Sequence, residues 1–341
     1  MGKKEYLARG MGATGLHGFC AFLRCLATDE VPILAYHRVC DIGDESAFPF
    51  DPELVSASCS AFAWQMEYVK KRYHPITFQT LLDALEGRAP LPDRPLIVTF
   101  DDGYDDNYYN AFPVLKSLGM PATLFVSTGY VGGGKPFWFD LVAHILYHAP
   151  AGTMPLNDLR LTLKLEDNIA SRRSAAASLL SMLKRIGNQR RLEFLGWLEG
   201  KYGDVINNDG LRLSRPLDWD QIREMSAGGI EFGSHTVTHP ILSMLDDAAL
   251  AQELIQSKQD LERELGAPVT ALAYPVGNAE EFNEKVIEAA QAAGYRFAAS
   301  YVQGVNRLRS LDRFRLRRQH VERYISAPYF SGLLSLPEVF P

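Results

Sequence analysis

The 341-residue chain has only four cysteines, Cys20, Cys25, Cys40 and Cys59, all within its first sixty positions and none in C-x-x-C spacing. This excludes a zinc ribbon, a dithiol redox motif and a disulfide-stapled scaffold, and it points to a reducing compartment. No run reaches the roughly 20 apolar residues that a membrane-crossing helix needs. The first residues include Lys3, Lys4 and Arg9, but Gly10, Gly12, Gly15, His17 and Gly18 break up the apolar stretch that a signal peptide requires. Positive charge is not in excess either, and a net charge of -6 excludes a general nucleic-acid binder. Internal repeats and low-complexity segments are lacking. These absences favour a cytoplasmic protein, with peripheral attachment at an inner membrane as the alternative. Leu16, Phe19, Phe22, Leu23 and Leu26 fall on one helical face, for which packing on the protein body is the expected role and a membrane surface the second.

Hydrophobic residues make up 47% and charged residues 22%, a balance that sustains a sizeable core and excludes a largely disordered chain. The length fits one large domain with an insertion. Charge is uneven. From Asn168 to Lys201 there are seven Lys or Arg against two Glu, and from Arg296 to Arg323 eight Arg against two acids. Solvated faces are the ordinary explanation; a surface for anionic lipid or a phosphorylated carrier is the sharper one.

After a leader, residues 1–30, short apolar runs alternate with amphipathic helical patterns, the mark of a parallel α/β arrangement. The runs are PILAYHRV (Pro32 to Val39), LIVTFDDG (Leu96 to Gly103), ATLFVST (Ala122 to Thr128), IEFGSH (Ile230 to His235), ALAYPVG (Ala271 to Gly277), RFAASY and FRLRRQHV (Phe314 to Val321). The rhythm stops at Gly132, Gly133 and Gly134. Residues 132–216 then show helical patterns and an alternating Leu159, Leu161, Leu163, Leu165 stretch without buried strands, which predicts a mainly helical insertion beside the barrel mouth. The main domain is expected over 31–325, with 326–341 as a C-terminal tail.

Two strand ends carry chemistry. Asp101 and Asp102 are adjacent carboxylates closing LIVTF, and such a pair divides naturally into a metal ligand and a general base. His235 and His239 close IEFGS as H-T-V-T-H, an i, i+4 spacing that would put both rings on one face if the segment turned helical. In a parallel barrel all such ends converge on one face, so two nitrogens and one carboxylate would meet there and leave room for water. His37, after the first strand, is a pocket-lining candidate, and Tyr104 and Tyr274 are aromatic candidates for a substrate subsite.

Taken in order, TFDDG (Thr99 to Gly103), SHTVTH (Ser234 to His239) and AYPVG (Ala273 to Gly277) resemble the polysaccharide deacetylases of the NodB-homology fold, carbohydrate esterase family 4. AYHRV and WDQIREM resemble its bacterial exopolysaccharide members, and the likeness runs from about residue 31 to 321. The resemblance implies a distorted parallel (β/α) barrel with one divalent ion at its mouth, zinc first, with cobalt, nickel, manganese or iron also admitted. It implies Asp102, His235 and His239 as metal ligands and Asp101 as the base for an attacking water. It further implies an oxyanion site at the Val276 backbone N–H after Pro275, and a late histidine, here His320, as the acid. Ala273 stands where many members have an arginine, and Val276 where they have a tyrosine, so no arginine partner for Asp101 is visible. The implied activity is hydrolysis of N-acetyl groups on an amino-sugar polysaccharide or its precursor, in exopolysaccharide biosynthesis. The substrate would be an N-acetylated glycan or a lipid-linked saccharide. A deformylase or other amide hydrolase on a carrier-linked sugar would use the same centre, and a silent carbohydrate-binding protein is the alternative of a different class.

Overall fold

The structure is a computed structural model and describes residues 3–27, 29–203 and 214–340, with the side chains of residues 22 and 25–27 outside the description. Seven strands form its centre: β1 Ile33–Tyr36, β2 Pro95–Phe100, β3 Thr123–Val126, β4 Glu231–Ser234, β5 Ala271–Ala273, β6 Phe297–Gln303 and β7 Leu316–His320. Each pairs in parallel with the next, and β7 closes on β1 through Gln319 with Leu34 and His320 with Ala35. The result is a parallel (β/α) barrel, the fold that the resemblance implies and with which the alternating runs agree. Strands such as ILAY, PLIVTF and TLFV are buried along their whole length, because helices cover the outer face while side chains fill the inner one.

Side-chain caps set where the covering helices begin. Ser58 caps Cys59–Arg72, Asp246 caps Asp247–Leu265 and Asn283 caps Glu284–Ala292. Asp218 and Gln221 form a reciprocal capping box at Trp219–Ala227, which satisfies N–H groups that the first helical turn leaves without partners. The β6-to-β7 connection departs from the pattern. Instead of an α-helix it has Asn306–Arg307, antiparallel to Glu30–Val31, and a short 3-10 turn at Leu308–Ser310.

Between β3 and the Trp219–Ala227 helix the chain leaves the barrel. Among its described residues it forms a helix, Trp138–His148, an antiparallel hairpin of Gly152–Leu156 with Leu161–Leu165, and two further helices, Ile169–Leu183 and Asn188–Tyr202. The leucine alternation is the hairpin's: Leu163 and Leu165 face inward between exposed neighbours. These elements enclose a core of their own, with Ile145, Leu156, Leu179 and Leu198 at its centre. Two arginines of the first basic stretch belong to this unit rather than to a solvated face. Arg172 Nη1 donates to the carbonyls of Leu146, Tyr147 and Ala149 at 3.0, 3.1 and 2.6 Å, closing the end of the Trp138–His148 helix. Arg191 is buried with its guanidinium 4.7 Å from the Trp138 ring.

The terminal segments pack together. Helices Lys3–Ala13 and Leu16–Ala27 lie against Ala327–Ser335, whose Phe330, Leu333 and Leu334 join the main core. The His17 ring contacts Ser335 Oγ at 3.1 Å and the Ala8 carbonyl at 2.9 Å. Cys20, Cys40 and Cys59 are free thiols. Cys25, Phe22 and Leu26 lie outside the described side chains.

Candidate active site

Asp101 and Asp102 leave β2 at the carboxyl-end mouth, and the turn that aims them is tightly constrained. Asp102 and Gly103 have φ of 71° and 91°. A Cβ at Gly103 would be strained by the positive φ and would crowd Val126 on β3 at 3.0 Å, so conformation and space both favour glycine. Asp102 Oδ1 then lies 3.5 Å from His235 Nε2 and 3.3 Å from His239 Nε2. The three donor atoms all fall within 4.8 Å of one another, and the three residues are buried.

The H-T-V-T-H segment is not helical, contrary to the arrangement its spacing offered. Thr236 and His239 take φ of 69° and 53°, and the rings meet at 4.8 Å across a turn. Glu253, on the Asp247–Leu265 helix, holds that turn open by accepting from the N–H groups of Val237 and Thr238 at 2.7 and 2.9 Å and from Thr238 Oγ1 at 2.6 Å. With those amides committed to a carboxylate, they cannot enter an i→i−4 ladder. His235 Nδ1 lies 2.8 Å from the Ala273 carbonyl, which makes it the protonated nitrogen and leaves the Nε2 lone pair facing Asp102. Burial pushes the His235 pKa down to about 4, so the ring is neutral, as a ligand must be, across the physiological range.

Asp101 has a different environment. Arg318 of β7 grips it with two parallel bonds, Nη1 to Oδ1 and Nη2 to Oδ2, both 2.7 Å. The guanidinium is itself fully buried and fixed by the Ser300 carbonyl at 2.7 Å and Thr99 Oγ1 at 3.2 Å. Burial alone would raise the Asp101 pKa; the guanidinium outweighs it and holds the carboxyl well below the usual range. Position 273, where the resemblance puts an arginine partner for Asp101, is alanine, so the partner comes from elsewhere in the chain. A usable signal existed in β7, where Leu316, Arg318 and His320 share one face. Since Leu316 is a core residue, Arg318 points into the barrel, where a guanidinium needs a carboxylate.

At the third strand end, Gly277 N–H donates to the Pro275 carbonyl at 2.7 Å across Val276, whose φ is 62°. This is a γ-turn of the rare, strained kind on a β-branched residue, and such outliers concentrate at functional sites. Among the described residues none accepts from the Val276 N–H.

These groups open into a cleft of about 370 Å³. His37 and Val276 line it together with Asp101, Asp102, His235 and His239. The insertion supplies Trp138, Phe139, Leu180 and Lys184, none of which sequence reasoning singled out. Trp138 Nε1 donates to the His239 carbonyl at 3.3 Å, and the Phe139 ring lies 5.2 Å from that of His239. Three other candidates stand elsewhere. Tyr104 is fully buried with its hydroxyl donating to Asp140 Oδ2 at 2.8 Å. Tyr274 stacks on Phe282 at 4.5 Å and donates to the Phe314 carbonyl at 3.0 Å. His320 lies behind Tyr301, stacked on it at 3.6 Å, and borders a separate recess with Glu5 and Tyr329. Burial, then the charge of Arg318, pushes its pKa down to about 4.

Comparison with known proteins gives a consistent set of likenesses. A family model described as polysaccharide deacetylase matches residues 88–155 and 156–298. Bacillus subtilis YxkH, which carries the same family name, is 23% identical over 290 residues, 83% of this chain and 69% of its own. A Staphylococcus aureus poly-beta-1,6-N-acetyl-D-glucosamine N-deacetylase is 38% identical over 90 residues, only 26% of this chain and 30% of that protein. Among solved structures, the Streptococcus pyogenes deacetylase PplD, determined with acetate, aligns at a TM-score of 0.60 and 19% identity, covering 92% of this chain and 99% of its own.

Proposed function

The chain belongs to the polysaccharide deacetylase family, and from that premise we propose that it is a hydrolase removing N-acetyl groups from amino-sugar residues of a bacterial polysaccharide or its precursor. The observation that carries the reading is the juxtaposition, in one cleft, of the buried Asp102, His235 and His239 donors with a carboxylate, Asp101, that is outside that cluster and locked by Arg318. Two imidazole nitrogens and a carboxylate oxygen at these separations fit a divalent ion, zinc first, with cobalt, nickel, manganese or iron compatible with the same donors. When bound, such an ion supplies Lewis acidity toward the acetamide carbonyl.

The remaining work falls to residues of this chain. Asp101, ionised at any working pH, takes the proton of the attacking water. The uncommitted Val276 N–H donates to the oxygen that gains charge as the carbonyl carbon becomes tetrahedral. Collapse breaks the carbon–nitrogen bond, releasing acetate, and the departing sugar nitrogen needs a proton. His37 is assigned that step in place of His320, because it shares the cleft with Asp101 and Asp102 while His320 is screened behind Tyr301. His37→Gln is expected to lower kcat by about 10²–10⁴-fold, most for substrates with poor leaving amines, with metal content unchanged. His320→Gln should stay within a few-fold of wild type; the reverse order would return the acid role to His320.

The direct test is acetate release from N-acetylglucosamine oligomers, with N-formylated counterparts alongside. Metal-dependent acetate release supports the reading. Faster formate release would make the protein a deformylase, and saccharide binding without turnover would make it a binding protein.

A further inference from the structure

The terminal helices carry an apolar stripe that the fold does not use. Leu16, Phe19 and Leu23, at i, i+3 and i+7 of the Leu16–Ala27 helix, are 44%, 58% and 46% exposed. On the preceding helix, Tyr6 and Leu7 are 65% and 48% exposed. These five make up a large share of the big apolar side chains that the described surface exposes, and all fall within eighteen consecutive residues. The stripe is not a face waiting to pack inward. The opposite sides of the same helices are already docked through buried Ala8, His17 and Ala21, with His17 tied to Ser335 and Ala8, and Arg24 paired with Glu30 at 2.7 Å and Glu338 at 2.7 Å. Packing on the body, the role expected for Leu16, Phe19 and Leu23, is therefore not what these three side chains do.

Charge selects the occupant. The first 27 residues contain four basic side chains, Lys3, Lys4, Arg9 and Arg24, against Glu5 alone, in a chain whose net charge is -6. Lys3 and Lys4 are exposed beside Tyr6 and Leu7, and Glu5 is engaged by Arg9 at 2.9 Å. Helical spacing puts Lys3 on the same side as Tyr6 and Leu7. We propose that this helical pair is a docking surface for an anionic lipid bilayer, with Tyr6, Leu7, Leu16, Phe19 and Leu23 entering the headgroup and acyl boundary and Lys3 and Lys4 meeting lipid phosphates. A second copy of the chain fits less well, since two such surfaces would bring their basic residues together. Docking would also place the cleft beside the membrane. Glu5 of the first helix borders the same recess as Glu322, and Glu322 lines the cleft.

Full-length protein should co-sediment with vesicles containing phosphatidylglycerol and far less with pure phosphatidylcholine, and the bound fraction should fall as salt is raised. Phe19→Ser with Leu23→Ser should lower the partition coefficient by at least about tenfold. Lys3→Glu with Lys4→Glu should abolish the preference for anionic vesicles. Both positions of each pair are exposed and none of the four lines the cleft, so thermal melting and turnover of soluble oligomers should match wild type. Three results would overturn the proposal: no vesicle binding, vesicle binding undiminished by the Phe19 and Leu23 substitutions, or a dimer in sedimentation velocity that those substitutions convert to monomer.

Discussion

Replacing Asp101 with Asn is expected to lower kcat by about 10²–10⁴-fold while the protein still takes up one divalent ion per chain. Asparagine keeps the size of the side chain but cannot accept the proton of the attacking water, and it removes no member of the Asp102, His235 and His239 cluster. His239→Ala should differ in kind, with metal binding and turnover failing together, because two donors cannot hold the ion as three do. Asp101→Asn also leaves the Arg318 guanidinium buried against a neutral group, so its melting temperature should drop, and metal content is best measured well below it. Metal content by mass spectrometry, beside acetate release, separates the two variants. Equal metal loss in both would make Asp101 a ligand and undo the division of roles.

A second large effect is expected at Arg318. Arg318→Met leaves Asp101 buried without its partner, and breaking a buried pair from one side costs about 3–5 kcal/mol. The ionised Asp101 is affected as well as the fold. In the wild type its folded pKa is depressed, so the pair contributes stability above the ordinary carboxylate range and loses it only as pH falls through the depressed value. Without the guanidinium, burial is opposed only by the smaller influence of His235 and His37, and that pKa rises. The acid limb of the kcat/KM profile should therefore move to higher pH, and stability should begin to fall at higher pH than in the wild type. Arg318→Lys should recover part of the stability and little of the geometry, since an ammonium cannot make two parallel bonds to one carboxylate. A variant with unchanged melting temperature and an unmoved acid limb would mean that Arg318 does not govern Asp101.

Much of the barrel was legible because a fully buried parallel strand is a short continuous apolar run, and here six of the seven runs carry, at or near their ends, a residue that lines or braces the cleft: His37, Asp101 with Asp102, His235, Val276, Tyr301 and Arg318. The donor residues were legible for the same reason: acids and imidazoles stand where apolar strands release the chain. What joins them was not. The turn that brings His235 and His239 together depends on Glu253, more than a dozen residues downstream on a helix, and no local pattern announces it. Arg318 looked like one of many charges in a basic stretch, although the strand's alternation put it inside the barrel. Tyr104 and Tyr274 sat next to the strand-end motifs, and proximity in sequence did not tell a core ring from a cleft wall. The insertion was visible as a break in rhythm, but that its first turn brings Trp138 and Phe139 against His239 is a tertiary fact. Helical spacing at the first residues marks an apolar face and favours packing it on the body, but it does not show which way the face turns. Only the structure shows Leu16, Phe19 and Leu23 turned outward.

The most direct measurement is acetate release by chelator-treated wild-type protein on N-acetylglucosamine oligomers, titrated with zinc while bound metal is counted. Negligible release is expected from the stripped protein, with a rate that climbs in proportion to added ion and a break at one ion per chain. Undiminished acetate release from protein holding no metal, or full occupancy at one ion per chain without any acetate, would contradict that expectation.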